Sequence, residues 1–451
     1  MTNNSISPNN GKPFASWTST SKEKINYNLE KLQHGTTDLT SSVEIRRDVL
    51  KCVLGSLAKC KDDLASLITE EVGKTPSEAY DEIPYASSFI EVALGLLDSY
   101  SFESELNDHF IRQVPRGTGL LIAPYNDPVA GLTRKIAPCI AAGAAALVKP
   151  SNLGVQCAMM LNEAFSDAGI QNYINILPIL ENELTSKLVK SKDIGTVSFT
   201  GSTQVGLKLA GISGQNGKSF IGELGGTNPF VLMKDADLDK AIPDLIKRKI
   251  KAAGQACSAP NIVFVEKMIL KDVEDRLISA FEKITYGPAS NSVDMGPLRT
   301  STAIDRLARI EARLQKDGEV CIHSSRTCNF DGFVYPPKLY RVSESLLFEK
   351  HEIFAPLMAI CAFDQLTDLQ NRLAHNRQPL VLYMYGEDTN RIKSFISPLK
   401  FGSFGINTTA IQGPDIPTGG FDLAGVGREG GLWGMTQFLT TINQKGINAN
   451  A

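Results

Sequence analysis

Lys251-Ala252-Ala253-Gly254-Gln255-Ala256-Cys257-Ser258-Ala259 closes an apolar helical pattern, breaks at Gly254 and presents one thiol. An apolar, strand-like run, Ile262-Val263-Phe264-Val265, follows it. A cysteine so placed is most often a small buried hydrophobe. Reactivity needs a thiolate and access to it. A second stretch, Glu223-Leu224-Gly225-Gly226, lies 34 residues upstream of Cys257. A carboxylate, a glycine pair and a thiol are the parts needed for covalent catalysis followed by hydrolysis.

Around these stretches the chain alternates. Leu120 to Ala123 reads as a strand, Pro128 to Ala142 as a helix and Ala145 to Lys149 as a strand. The same alternation continues through a helix from Gly154, a strand at Tyr173, a helix from Glu181, and strands at Thr196 to Thr200 and Ser219 to Gly222. A second series starts near Pro229, with strands at Phe230 to Met233, Ile262 to Val265, Leu380 to Tyr385 and Phe404 to Asn407. Short apolar strands alternating with helices predict doubly wound parallel sheets, here two α/β domains that divide near Gly222. Further upstream, Ser41 or Ser42 reads as an N-cap. Leu50, Val53, Leu54, Leu57, Leu64, Leu67 and Ile68 then recur at helical spacing, and Gly73 ends the pattern.

The bulk numbers restrict function. The chain has 451 residues, 42% of them hydrophobic, enough for more than one core. Its net charge of −3 gives no sign of a nucleic-acid or anionic-membrane surface. The eight cysteines (52, 60, 139, 157, 257, 321, 328 and 361) show neither metal-type spacing nor a paired framework, so a reduced, cytoplasmic setting without a metal is expected. The longest apolar run, Ile136 to Val148, is too short to span a bilayer. The polar, Asn- and Ser-rich segment Met1 to Lys12 is expected to be disordered.

Glu223-Leu224-Gly225-Gly226-Thr227-Asn228-Pro229 and Gly254-Gln255-Ala256-Cys257 resemble the two signatures of the NAD(P)-dependent aldehyde dehydrogenase superfamily. The resemblance runs from about Arg46 to Gly434, with several motifs in the family's order. It implies two doubly wound parallel-sheet domains and a small β arm for oligomerisation. The implied division is a cofactor-binding domain over 1–222, with 406–435 returning to it, a catalytic domain over 223–405, and an arm formed by 101–116 and 436–451. A homodimer or homotetramer is implied, and the usual N-terminal strands look trimmed.

The resemblance also assigns roles. Cys257 would add to the aldehyde carbon. Asn126, in Pro124-Tyr125-Asn126-Asp127-Pro128, would donate to the oxyanion with the Cys257 N–H. Glu223 would activate the hydrolytic water. Phe199-Thr200-Gly201-Ser202-Thr203 resembles the pyrophosphate turn, with Gly201 allowing close approach and Ser202 as the contact; read alone, it serves equally as an ordinary capped turn. Lys149 and Asn152, in Lys149-Pro150-Ser151-Asn152, fall at the adenosine ribose. Asn152 stands where NAD-preferring members usually carry Glu, so NADP becomes acceptable. Glu352 and Phe354, in His351-Glu352-Ile353-Phe354-Ala355-Pro356, fall at the nicotinamide end, with Ala355 replacing the usual Gly. Glu71-Val72-Gly73-Lys74-Thr75-Pro76 resembles a family turn and reads on its own as a helix stop.

Arg134, in Thr133-Arg134-Lys135, resembles the substrate-carboxylate arginine of succinate-semialdehyde and related semialdehyde enzymes, and Lys251 falls where a second cation stands in them. An Arg fork suits a carboxylate, although a helix-surface role for Arg134 stays open. The expected substrate is a small aldehyde with an anionic group. Departures occur at Ile262, where many members have Arg, and at Thr418, Asp422 and Ala424 in the C-terminal loop. Two alternatives remain at this stage: a CoA-acylating semialdehyde dehydrogenase, disfavoured by the presence of Glu223, and a non-catalytic protein on the same fold.

Overall fold

The computed structural model describes residues 2–325, 330–343 and 346–446. Met1, Cys328 and residues 447–451 of the expected arm lie outside them.

Two sheets carry the chain. The first has six strands in the order Gly425–Val426, Ser219–Glu223, Ile194–Thr200, Thr118–Ile122, Ala146–Lys149 and Ile174–Ile176. All neighbours are parallel except Gly425–Val426, which runs antiparallel to Ser219–Glu223 and pairs Gly425 with Glu223. The second has seven strands in the order Val320–Ser324, Lys338–Arg341, Leu357–Phe363, Pro260–Glu266, Asn228–Leu232, Val381–Tyr385 and Ser403–Ile406. Only Val320–Ser324 runs antiparallel. Each sheet has its own apolar core. The chain crosses from one to the other between Glu223 and Asn228. Strands buried on both faces explain the near-continuous apolar runs such as Ile262-Val263-Phe264-Val265.

Four helices, Lys22–Ser41, Val43–Lys59, Lys61–Val72 and Pro76–Ser99, supply apolar side chains to the first core. Their boundaries follow local chemistry. Ser42 accepts from the Ile45 N–H at the start of the second helix. Gly73 ends the third with φ 82°, a left-handed conformation that a glycine takes at little cost. Thr75 and Glu78 form a capping box at the fourth, with Pro76 in its first turn. Thr75 therefore starts a helix inside the segment that reads from sequence as a helix stop alone.

A three-stranded antiparallel sheet joins Leu439–Lys445, His109–Pro115 and Glu103–Leu106. The N-terminus departs from expectation. Thr2–Ile6 pairs antiparallel with Pro13–Thr18, so the polar leader is an ordered hairpin. Its side chains find partners instead of water. Asn9 donates to the Thr69 carbonyl at 2.9 Å and accepts from the Ala289 N–H at 2.7 Å, and the Pro8 carbonyl accepts from Phe333 N–H at 2.8 Å. Composition registers polarity and is blind to such specific satisfaction.

Candidate active site

The helix Leu238–Ile250 stops before Cys257, and the backbone then makes a left-handed turn. Ala252, Ala253 and Gly254 all have positive φ (50°, 54° and 74°). For an alanine this conformation costs roughly 1–2 kcal/mol. Glu78 compensates by accepting the Ala252 N–H at 2.7 Å, and the Ala252 carbonyl accepts from the Gln255 N–H at 3.0 Å and from Gln255 Nε2 at 2.9 Å. Gly254 tolerates no side chain, because a Cβ there would sit 2.5 Å from the Ala355 carbonyl. Asn228 Nδ2 then donates to the Cys257 carbonyl at 2.7 Å and to the Ala259 carbonyl at 2.9 Å. The thiol is thus carried on a strained, tethered loop.

Cys257 lines a cavity of about 170 Å³ together with Asn126, Asp127, Arg134, Arg248 and Lys251. Four of the residues singled out in the sequence meet here. The Arg134 guanidinium donates to the Tyr85 hydroxyl at 2.8 Å and lies over the Phe89 ring at 5.0 Å. Its Nε is buried without a hydrogen-bond partner among the described residues. Asn126 makes no side-chain hydrogen bond to the described residues, which leaves its amide available. Arg248 was missed from sequence. It reaches the cavity from the preceding helix, bonded to Ser258 Oγ and, at 2.9 Å, to Gln412 Oε1.

Burial pushes the Cys257 thiol up to about 12, with Arg134 and Arg248 opposing and Glu352 and Glu223 reinforcing it. Glu223 ends its strand outside the cavity lining but close enough for its charge to be felt at the sulfur. Its Oε1 is buried and lacks a hydrogen-bond partner among the described residues. Burial, then the Glu429 carboxylate, hold the Glu223 carboxyl well above its ordinary range, against Lys135, Arg134 and Arg428. Lys135 and Glu429 also escaped the sequence reading, although Lys135 directly follows Arg134. Lys135 Nζ donates to Glu429 Oε1 at 2.5 Å and to Ser198 Oγ at 2.9 Å.

A second group of side chains lies at the ends of parallel strands in the first sheet. Lys149 ends Ala146–Lys149, and burial lowers its pKa. Asn152 Oδ1 is buried without a hydrogen-bond partner among the described residues. Gly201 and Ser202 form the turn into the helix Thr203–Gln215, where Ser202 is the N-cap residue and its side chain makes no cap bond. The first N–H groups of that helix and the Ser202 hydroxyl are therefore available to an anion. Glu352 approaches from the second half of the chain. A Cβ on Gly225 would collide with its Oε2, and its Oε1 has no hydrogen-bond partner among the described residues. Burial pushes Glu352 up to about 8, against Arg306, the Gly226 N–H and Lys249. Phe354 sits edge-on to Tyr125 at 6.2 Å between ring centroids. An open helix N-terminus, two orphaned acceptors and a buried lysine fit a dinucleotide.

The sequence departures also find places. Ile262 is a buried core residue of its strand, and Ala355 is packed against Gly254. Asp422 forms an ion pair with Arg377. Thr418 exchanges backbone hydrogen bonds with Glu429, both at 2.8 Å, and the Ala424 carbonyl accepts the Leu224 N–H at 3.1 Å. The altered C-terminal loop thus holds Glu429 and closes over the Glu223 segment.

The aldehyde dehydrogenase family model matches residues 1–443. This chain belongs to the aldehyde dehydrogenase family. It is similar to the succinate-semialdehyde dehydrogenase of Paenarthrobacter nicotinovorans, 29% identical over 408 residues that span 88% of this chain and 90% of that one. It is also similar to the NADP(+)-linked succinate-semialdehyde dehydrogenase of Escherichia coli K12, at 30% over 405 residues (87% and 83%). Among solved structures it resembles aldehyde dehydrogenase C of Pseudomonas syringae, captured with NAD+ and octanal, at a TM-score of 0.94 and 25% identity, covering 100% of this chain and 94% of that one. The protein is an NAD(P)-dependent oxidoreductase that converts an aldehyde to an acid. The family match favours this over a non-catalytic relative. Among the described residues of this aldehyde dehydrogenase, no helix is long and apolar enough to cross a membrane.

Proposed function

We propose that the enzyme oxidises a small aldehyde bearing an anionic group, a semialdehyde, through a covalent intermediate on Cys257. The observation that carries this reading is that the Cys257 thiol and the Arg134 guanidinium line one cavity of about 170 Å³. Arg134 is held by Tyr85 and Phe89 and lines the cavity, so a substrate carboxylate meets a preorganised cation. Lys251 and Arg248 add positive charge to the same wall.

In this mechanism the Cys257 thiolate adds to the carbonyl carbon, and the Asn126 amide with the Cys257 N–H donates to the oxygen that becomes negative. Bound NAD(P)+ supplies the hydride acceptor. Glu223 then takes a proton from the water that cleaves the thioester. Its raised pKa, set by burial and Glu429, suits a base that must pick up and release a proton. The buried pair of Lys135 and Glu429 lies within electrostatic reach of Glu223, where the Glu429 carboxylate holds that proton and the Lys135 ammonium helps its release. A base in this position makes water, not CoA, the acyl acceptor.

Ser202 and the helix N-terminus at Thr203 would hold the pyrophosphate, with Gly201 letting it approach. Lys149 and Asn152 would hold the adenosine ribose, and Glu352 and Phe354 the nicotinamide end. Asn152 carries no charge, so a 2′-phosphate is not repelled and NADP is used as well as NAD. The cofactor half would comprise 1–222 with 406–435, and the catalytic half 223–405. The strands within 101–116 and 436–451 would pair with another copy in a homodimer or homotetramer, in the cytoplasm.

The test is an aldehyde panel followed by NAD(P)H formation. Succinate semialdehyde should exceed butanal at least tenfold in kcat/KM, with NADP supporting turnover. Equal use of the two aldehydes would contradict the anionic reading, and a preference of several thousandfold for NAD would contradict the reading of Asn152.

A further inference from the structure

The cavity beside Cys257 holds one carboxylate that this mechanism does not use. Asp127 follows Asn126 in the turn before the helix Ala130–Ala141 and lines the cavity. Its Oδ1 accepts from Lys74 Nζ at 2.5 Å, and the same Nζ donates to Glu82 Oε2 at 2.7 Å. Glu82 Oε1 in turn accepts the N–H groups of Val129 at 2.8 Å and Ala130 at 3.0 Å, at the start of the helix that carries Arg134. Lys74 and Glu82 are sealed, each 2% exposed, whereas the Asp127 side chain is 33% exposed. The two inner members of this chain thus serve the fold. Asp127 presents its outer end to the cavity, and its Oδ2 makes no hydrogen bond among the described residues.

Burial raises the Asp127 carboxyl, but Lys74, Lys251 and Arg134 together outweigh it and hold the group well below its ordinary range. It is ionised at any working pH, and an ionised carboxylate only accepts hydrogen bonds. It cannot receive the anionic end of a substrate, which the three cations of the same wall attract. What it can receive is a donor.

We propose that Asp127 reads a hydrogen-bond donor on the substrate, so that the preferred substrate is an aldehyde acid with a hydroxyl or an ammonium group between the acid and the aldehyde carbon. The proposal rests on the anionic-aldehyde reading above. A site that hydrogen-bonds a substrate donor disfavours the analogue that lacks it.

The experiment compares kcat/KM for succinate semialdehyde, its hydroxyl- and amino-substituted analogues and butanal, in the wild type and in Asp127→Asn and Asp127→Ala. At least one substituted analogue should exceed succinate semialdehyde tenfold or more in the wild type. Asp127→Ala should reduce that ratio tenfold or more, mainly through KM of the substituted aldehyde. Lys74 keeps Glu82 as its partner in both variants, so no buried charge is orphaned. Asp127→Asn should abolish the advantage of an ammonium and weaken that of a hydroxyl less. A wild-type ratio of one or below for both analogues, with butanal still poor, overturns this proposal alone and needs no variant. An unchanged ratio in both variants, or an equal fall for all four aldehydes, overturns it by leaving Asp127 a structural tie. Butanal oxidised as well as succinate semialdehyde overturns the anionic reading and this proposal together.

Discussion

Lys135 Nζ and Glu429 Oε1 are 2.5 Å apart inside the core, and the charges of both are felt at Glu223. The Glu429 carboxylate makes the Glu223 proton harder to remove, and the Lys135 ammonium makes it easier. Replacing Glu429 by Gln should therefore lower the Glu223 pKa, and the acid limb of the kcat profile should move to lower pH. Replacing Lys135 by Met leaves a buried carboxylate uncompensated and should destabilise the fold by about 3–5 kcal/mol. Urea unfolding and pH–rate profiles check the two outcomes, and an acid limb that moves to higher pH in the Gln variant contradicts the arrangement.

Ala253 has φ 54° beside the reactive loop and is almost fully buried. Glycine takes that conformation without the Cβ penalty, while adding freedom to the unfolded chain. The lost burial of the methyl offsets much of that relief, so Ala253→Gly should change stability by less than about 1 kcal/mol, and Ala253→Val should destabilise by about 1 kcal/mol or more. The shift in urea midpoint measures both, and a glycine variant destabilised by about 2 kcal/mol or more would show that the turn is not strained.

Lys249 is buried beneath the same loop and donates to the Pro260 carbonyl at 2.9 Å. Burial lowers it from 10.5 to about 7, with Glu352 opposing. Between these values the unfolded chain binds a proton that the folded protein does not, so this group makes stability rise with pH. Its penalty is largest below about pH 7 and is gone above about pH 10.5. Lys249→Met should remove this rise. Urea midpoints at pH 7 and pH 9 test it, and an unchanged difference between wild type and variant would refute it.

Arg134 lines the cavity as a cation held by Tyr85 and Phe89, so its contribution should be specific to charged substrates. A hydrogen bond to a charged group contributes about 1.5–3 kcal/mol. Arg134→Ala should lower kcat/KM for succinate semialdehyde by roughly 10- to 150-fold and change butanal far less. Equal losses for both aldehydes would place Arg134 in the scaffold instead.

The parts of this enzyme legible in the sequence were those with local signatures. Most strands from Leu120 to Val265, and those at Leu380 and Phe404, announced themselves by apolar runs, and the Ser42 cap and the Gly73 stop by their residue types, whereas the strands Val320–Ser324, Lys338–Arg341 and Leu357–Phe363 were missed. Cys257, Asn126, Arg134 and Lys251 were found because each sits in a short motif. The helix Pro76–Ser99 was missed, although Thr75, Pro76 and Glu78 spell its cap. The N-terminal hairpin was missed because its order depends on Thr69, Ala289 and Phe333, remote positions that no local pattern links to it. Arg248, Lys135 and Glu429 matter through three-dimensional proximity alone. The left-handed pair Ala252 and Ala253 had no signal either, since alanine is a poor residue for that conformation and is held there by Glu78.

The central claim is that Cys257 carries the acyl group and Glu223 delivers the water that removes it. The direct measurement mixes the Glu223→Gln variant with NADP+ and succinate semialdehyde and follows NADPH in a rapid-mixing instrument. The account predicts a burst of about one NADPH per site, followed by turnover at least a hundredfold slower than wild type, with the acyl group on the peptide containing Cys257. Steady turnover at the wild-type rate without a burst, or an acyl group on any other residue, would contradict it.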